Sequence, residues 1–198
     1  MKLYLAPGAC SLADHIAMHE AGLAFDRVTV DMKTKRTDDG RDFLQINPKG
    51  YVPALEFDDG EVLTENIAIL SVVADKAPQL TPEGRFGQFR LLEMLAFIST
   101  EIHKGFKPFF KPDSTEAEKK SAGETLGKRF GYLAERMKGD YLFGSRFTVA
   151  DAYLFTVTSW AHHVKVDLSA FPNLLAFQKR VAARPAVQAA MKAEGLIK

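Results

Sequence analysis

Hydrophobic positions in the first third of the chain alternate between strand-like and helix-like spacing. Asp58-Asp59-Gly60 separates two of the short strand-like segments and predicts a hairpin. The expected order is β-α-β-α-β-β-α, an α/β unit in which the hairpin gives a mixed sheet an antiparallel edge. The predicted elements are strands over 2–6, 25–30, 54–57 and 61–63 and helices over 11–23, 41–46 and 65–76.

The remaining two thirds of the chain show helical spacing only. Segment 78–82 contains two prolines and no periodicity, which predicts a linker. Beyond it, apolar residues recur every three or four positions over 91–109, and we expect Pro108 and Pro112 to end that helix. The chain therefore divides into an α/β part and an all-helical part.

Four further helices are expected toward the end of the chain. Segment 115–137 predicts an antiparallel neighbour for the first long helix. Thr148 and Asp151 have the spacing of an N-terminal capping box, with Asp in place of the usual Glu. Pro172 and Pro185 lie where two short helices begin, because proline lacks an N–H group that the first turn does not need.

Composition limits the classes of partner. The 198 residues are 46% apolar, and 26 basic against 25 acidic side chains give a net charge of +1. This balance predicts neither a nucleic acid nor a membrane partner, and favours a small-molecule substrate. No apolar run has membrane-spanning length, and the residues before Cys10 are too few for a signal peptide, so a cytoplasmic location is expected.

The only cysteine, Cys10, lies where the first strand gives way to the first helix. Unpaired N–H groups and the positive end of the helix dipole favour a thiolate there, so we expect an unusually acidic thiol. Without the second cysteine of a C-x-x-C pair, thiol-disulfide exchange needs an outside thiol. The alternative is an inert, packed cysteine, which is the common state of a lone cysteine.

Two other segments suit a small thiol peptide. In N-P-K-G-Y-V-P-A-L, a cis Val52-Pro53 bond would present the Val52 backbone to an extended peptide; an ordinary trans turn is the alternative. In L-T-E-N-I-A-I-L, Thr64 is expected to cap a helix. Glu65 and Asn66 then lie in its first turn, where N–H groups bind an anion and the Glu65 carboxylate binds an amine. A simple well-capped helix is the alternative.

Together these segments resemble the glutathione S-transferases, and within them the bacterial beta class, whose marker is a cysteine at the first strand-helix turn. The matching blocks are 7–12, 47–50, 52–55, 63–65, 100–106 and 147–155. The resemblance implies a thioredoxin-like α/β N-terminal domain and an all-α C-terminal domain, assembled as a homodimer. We place the glutathione-binding domain at 1–77, the linker at 78–82 and the helical domain at 83–198.

The resemblance also implies roles for individual residues. Its catalytic candidates are Cys10, facing the glutathione sulfur, His103, reaching it from the helical domain, and Ser11, the alternative hydroxyl. The glutathione-binding candidates are Cys10, Lys35, Val52, Pro53, Glu65, Asn66, His103 and Lys104. Among these, Lys35 would meet the glycine carboxylate, and Glu65 with Asn66 the γ-glutamyl end. Phe106, Phe109, Phe110 and Trp160 are the candidates for an electrophile pocket between the domains.

The expected activity is conjugation of the glutathione thiol to small electrophiles, with exchange through a Cys10 mixed disulfide as a further activity. A glutathione-dependent isomerase, a dehalogenase or a disulfide reductase would use the same binding groups, and a non-enzymatic ligand-binding protein is a further alternative. Two positions depart from the family: Asn66 replaces serine or glycine, and Ala96 replaces an asparagine found in many relatives. Glutathione is the expected co-substrate. No metal is expected, since His15 and His19 lack a third ligand at matching spacing.

Overall fold

The computed structural model describes residues 1–198, which form five strands and nine α-helices. The strands are β1 (Lys2–Leu5), β2 (Asp26–Asp31), β3 (Arg36–Thr37), β4 (Ala54–Glu56) and β5 (Val62–Thr64). The helices are α1 (Leu12–Glu20), α2 (Phe43–Ile46), α3 (Asn66–Lys76), α4 (Gly87–Phe97), α5 (Lys107–Phe110), α6 (Glu116–Arg136), α7 (Val149–Val164), α8 (Pro172–Ala182) and α9 (Pro185–Ala193). Only β3 lacks a counterpart in the sequence pattern, because two residues are too few to show a period.

The sheet has the strand order β3-β2-β1-β4-β5. Only β1 and β2 run parallel, and β4 and β5 form the predicted antiparallel edge. Side chains of the central strand β1 alternate between two cores: Leu3 and Leu5 join the large one, while Tyr4 and Ala6 join a small one with Phe43 of α2. The sheet is therefore covered on both faces.

One hydrophobic core joins the α/β part to the helical part. The cluster contains 39 buried residues, among them Ile16 of α1 and Leu154 of α7. Helix α7 is buried on nearly all sides, which makes it the central helix of this region. No helix of the fold combines the length and apolar character needed to cross a membrane. The division at 78–82 stays a prediction, since this segment forms a short 3₁₀ turn (Pro78–Leu80) whose Leu80 is buried in the shared core.

The helix that begins with α4 continues through a π-helical turn (Ile98–His103) and a 3₁₀ turn (Lys104–Phe106) into α5. The expectation that Pro108 ends this helix is wrong. Pro108 lies in the first turn of α5, where its missing N–H costs little, and the helix ends at Phe110. In the π turn, the Lys104 N–H donates to the Ser99 carbonyl, five residues back rather than four.

The predicted capping box of α7 is present and buried. Asp151 Oδ2 accepts from the backbone N–H of Thr148 at 2.8 Å and from its hydroxyl at 2.7 Å. Asp151 Oδ1 accepts from the backbone N–H of Leu142 at 2.8 Å. The carboxyl therefore ties the start of the central helix to the loop before it. A second capping box, Thr115 with Glu118 at the start of α6, is exposed.

The two boxes make a matched pair for a stability measurement. Asp151→Ala is expected to lower the free energy of unfolding by about 3 kcal/mol, because it leaves buried N–H groups without an acceptor. Glu118→Ala is expected to cost about 1 kcal/mol or less, because water replaces the lost acceptor. Urea unfolding of both variants measures the difference, and equal costs would contradict the structural role given to Asp151.

Candidate active site

A cleft of about 970 Å³ lies between the helices and the loops that follow β1 and precede β4. One wall consists of the turn before α1 and the segment before β4. The other wall comes from the helix that carries the π turn and from α7. Candidates from both parts of the chain line it: Cys10 and Val52 from the first wall and His103, Lys104, Phe110 and Trp160 from the second.

Cys10 lies in the turn between β1 and α1, directly before the N-cap residue Ser11. Its thiol donates a hydrogen bond to the backbone carbonyl of Val52, with Sγ 3.5 Å from the oxygen. The Val52-Pro53 peptide bond is cis, which is one of the two alternatives left open by the sequence. The sulfur and the backbone at position 52 are therefore neighbours on the first wall.

The expectation of an acidic Cys10 thiol is wrong for this structure. Burial raises the pKa of Cys10 to about 12, and the negative charge of Asp14, one helical turn away, adds to the rise. Backbone N–H groups of Cys10 and Ser11 lower the pKa as predicted, but their effect is smaller than that of burial. At neutral pH, Cys10 is thus a protonated thiol and a hydrogen-bond donor.

Ser11, the alternative hydroxyl, does not reach the cleft. Its side chain is buried, accepts a hydrogen bond from the Ala6 N–H at 3.2 Å and donates one to the Ala6 carbonyl at 3.4 Å. A hydroxyl engaged on both sides cannot also contact a bound thiol. The role that the structure gives Ser11 is to close the turn that carries Cys10.

The backbone of Gly8, in the same turn, is held by the helical part of the chain. Trp160 donates from Nε1 to the Gly8 carbonyl at 2.9 Å, and the Gly8 N–H donates to Glu194 Oε2 at 2.9 Å. The other Glu194 oxygen lies 2.8 Å from His15 Nδ1. His19 Nε2 is 3.2 Å from His15 Nε2, and no group of three potential metal ligands forms around this pair. Glu194 had no sequence signal, because it follows the last helix far from any motif.

His103 lies at the end of the π turn and faces Cys10 across the cleft. Burial lowers the pKa of His103 to about 4, with a further contribution from the charge of Lys104, so the imidazole is neutral at neutral pH. Its Nδ1 lies 2.7 Å from the hydroxyl of Tyr153, a residue not singled out from the sequence. Burial raises the pKa of Tyr153, which keeps that phenol protonated. His103 Nε2 has no partner within the chain.

Glu65 has a different position from the one predicted. It is itself the N-cap of α3, with φ of 77°, while Thr64 ends β5. The Glu65 carboxylate accepts hydrogen bonds from Lys49 Nζ at 2.6 Å and from the Tyr51 hydroxyl at 2.7 Å. Both contacts lower the pKa of Glu65, so it is an anion at neutral pH. Lys49 and Tyr51 were not predicted as site residues. Their position in the same segment as Val52 is the feature of the sequence that could have identified them.

The side chains of Asn66 and Lys35 are engaged within the chain. Asn66 Nδ2 donates to the Cys10 carbonyl and to Asp14 Oδ2, both at 2.9 Å, so both hydrogens of this amide have partners within the chain. Its backbone N–H, at the first position of α3, remains available. Lys35 Nζ donates to the Gly50 carbonyl at 2.7 Å, which places the ammonium beside the segment before β4.

Of the four aromatic candidates, Phe110 and Trp160 line the cleft, with ring centroids 5.5 Å apart. Phe106 is fully buried behind Trp160 and lies outside the cleft. Phe109 lines a different cavity, between α6 and the segment after α7. These two predictions are wrong because Phe106 lies in the core and Phe109 lies against α6. Cleft residues without a predicted role there are Ala6, Pro7, Gly8, Ala9, Met32, Tyr51, Lys107, Lys111, His163 and Leu196.

The protonation state of Cys10 can be measured directly, because the chain has no other cysteine. We expect no ultraviolet thiolate absorbance below about pH 10, because a thiol with a pKa of about 12 is then almost fully protonated. Cys10→Ala supplies the background, including that of tyrosine. A transition near about pH 8.5, the value of a free cysteine, would contradict the effect assigned to burial.

Comparisons with known proteins cover both parts of the chain. Residues 9–76 match the family model of the glutathione S-transferase N-terminal domain, and residues 97–185 match that of the C-terminal domain. Glutathione S-transferase GstA of Escherichia coli O157:H7 is 46% identical over 200 aligned residues, covering 99% of this chain and 100% of that protein.

Solved structures agree over the whole length. A bacterial beta-class glutathione S-transferase from Sphingomonas chungbukensis has a TM-score of 0.93 at 48% identity, with 100% of both chains covered. A sphingomonad glutathione S-transferase complexed with glutathione has a TM-score of 0.94 at 45% identity, again with 100% of both chains covered. The chain therefore belongs to the glutathione S-transferase family and is a member of its bacterial beta class.

Proposed function

We propose that the chain conjugates the thiol of glutathione to small electrophiles in the cleft between Cys10 and His103. The observation that carries this proposal is the position of these two side chains on opposite walls of one cleft, each contributed by a different part of the chain. The matching relatives bear the name glutathione S-transferase, and one related structure holds glutathione. The proposal extends that chemistry to the residues of this chain.

Polar groups along the first wall suit the two ends of the tripeptide. The Glu65 carboxylate lies beside the start of α3, so it can bind the α-amino group of the γ-glutamyl unit while first-turn N–H groups bind its carboxylate. The Val52 backbone would pair with the cysteinyl unit. Lys35 and Lys104 are cations suited to the glycine carboxylate and to the thiol end of the tripeptide.

Neutral donors would stabilise the glutathione thiolate. The protonated Cys10 thiol can donate to a bound sulfur in place of the Val52 carbonyl. The Tyr153 hydroxyl would donate a hydrogen bond to His103 Nδ1. The neutral imidazole then carries its own proton on Nε2, the nitrogen that has no partner within the chain. The thiol proton of glutathione then leaves to solvent, and the sulfur forms the new bond as the leaving group departs with its electron pair.

Conjugation is favoured over exchange through Cys10. Attack on a disulfide requires a Cys10 thiolate, and the raised pKa makes that form scarce at neutral pH. Donation of a hydrogen bond requires the protonated thiol, which is abundant. An isomerase or dehalogenase would use the same binding groups, and a substrate panel distinguishes them.

Turnover of chlorodinitrobenzene separates the two candidate side chains. Cys10→Ala is expected to lower kcat/KM about tenfold, because a thiol is a weak donor whose loss costs about 1 to 1.5 kcal/mol. Ser11→Ala is expected to stay within about twofold of the parent per folded molecule, since its hydroxyl does not reach the cleft. Loss of activity in the serine variant alone, with folding confirmed by circular dichroism, would overturn the assignment of Cys10.

We also propose that two copies of the chain associate through the start of α4. Phe86, Phe89 and Leu92 are 54%, 69% and 48% exposed, and they lie three residues apart on one helix face. Beside them, a cavity of about 280 Å³ lies between α3 and α4, with Ala74 and Leu91 in its lining. An exposed aromatic side chain next to an apolar cavity suits a two-fold interface, in which each copy fills the cavity of the other.

Replacing the most exposed of these aromatics tests the interface. Phe89→Asp is expected to shift the mass measured by light scattering from that of two chains to that of one, because it would place a charge in an apolar contact. Leu175→Asp, at an exposed leucine of α8, is the matched control and is expected to keep the mass of two chains. The same mass for Phe89→Asp and the parent would contradict this choice of surface.

A cytoplasmic location and a role in detoxification complete the proposal. The free thiol of Cys10 suits a reducing compartment. A broad apolar cleft beside a thiol-binding site suits the removal of reactive electrophiles.

A further inference from the structure

The helical wall of the cleft combines apolar surface with an excess of positive charge. Trp160 and Phe110 pack edge to face, and Leu196 from the end of the chain lies in the same lining. Lys104, Lys107 and Lys111 follow one another at helical spacing along this wall, joined by His163 of α7. None of the residues that line the cleft carries a carboxylate.

The charges of these lysines are not neutralised within the chain. Lys104 and Lys107 are exposed and take part in none of its ion pairs. Lys111 Nζ lies 3.1 Å from Asp113 Oδ2. Because both side chains are exposed to solvent, this ion pair is weak. Because the net charge of the whole chain is only +1, this concentration of cations is a local feature of the cleft.

Bound glutathione would not contact all of the lysines that line the cleft. Its γ-glutamyl carboxylate would lie at the start of α3 and its glycine carboxylate near Lys35, both toward the first wall. Lys104 is close enough to the first wall for its positive charge to lower the pKa of Glu65. Lys107 and Lys111 follow Lys104 along the helix and flank Phe110, the aromatic ring that faces the electrophile side.

We propose that the preferred electrophiles carry an anionic group, such as a carboxylate, attached to an aromatic or other flat apolar body. The apolar body would contact Trp160 and Phe110, and the carboxylate would face Lys107 and Lys111. A cleft of one charge sign with apolar walls raises the local concentration of such a ligand. This inference rests on the proposed function. The carboxylate itself is unchanged by the reaction: the glutathione sulfur bonds to the electrophilic carbon, the leaving group departs with its electron pair, and the thiol proton goes to solvent.

Trp160 supplies a direct binding signal, because it is the only tryptophan and it lines the cleft. Its fluorescence is titrated with dinitrobenzoate and with dinitrobenzamide, a neutral ligand of nearly the same shape; neither has a leaving group. We expect dinitrobenzoate to bind about fivefold more tightly at low ionic strength, and the difference to shrink in salt.

A double variant tests the residues. Lys107→Gln with Lys111→Gln is expected to remove most of the preference for dinitrobenzoate. Lys128→Gln with Lys138→Gln, a change of equal charge at exposed lysines outside the cleft, is expected to retain it. Equal dissociation constants for the two ligands, or a preference that survives the loss of Lys107 and Lys111, would overturn the inference.

A turnover comparison separates this inference from the proposed function. Chlorodinitrobenzoate and chlorodinitrobenzene are compared by kcat/KM, each divided by its uncatalysed rate with glutathione. A higher normalised value for the carboxylated electrophile is expected. If neither compound is turned over while the preference in binding persists, conjugation is contradicted and the anion site is supported.

Discussion

The backbone of Gly8 connects the two parts of the chain at the point where the chemistry is expected. Its carbonyl and its N–H are both bonded to side chains of the helical part, Trp160 and Glu194. Gly8 has φ of 70°, a conformation that favours glycine. Because the turn that follows carries Cys10, these two hydrogen bonds determine where the thiol lies relative to the opposite wall. Trp160 contributes twice, since its ring is also a surface of the cleft.

Burial, rather than the helix dipole, decides the protonation states near the site. It raises the pKa of Cys10 and lowers that of His103. In each case the neutral form is favoured, because burial removes the hydration of the charged form and the neighbouring groups do not compensate for that loss. The site therefore offers neutral donors to a bound thiolate. Such donors add no charge of their own to that of the lysines in the cleft lining, Lys104 among them.

The charged groups that line the cleft and those that lie beside it have separate roles. Near the start of α3, the Glu65 carboxylate with its partners Lys49 and Tyr51 suits a zwitterionic amino-acid group. On the helical wall, Lys107 and Lys111 have no such acidic neighbour in the cleft lining. This separation gives the amino-acid head group of glutathione to the region beside the start of α3 and the electrophile to the helical wall.

The family, the order of nearly all elements and the segments that meet at the cleft could be predicted from the amino-acid sequence. These follow from local patterns: the apolar period of each element, the turn at Asp58-Asp59-Gly60, the capping box at Asp151 and the motif around Cys10. The protonation state and the direction of individual side chains depend on contacts that form when the chain folds. The Cys10 thiol is protonated, the Asn66 amide turns inward and Phe106 is buried, because burial and hydrogen-bond partners come from residues distant in sequence. Glu194 is the clearest case, since it meets Gly8 across 186 positions of the chain and no local pattern records such a contact.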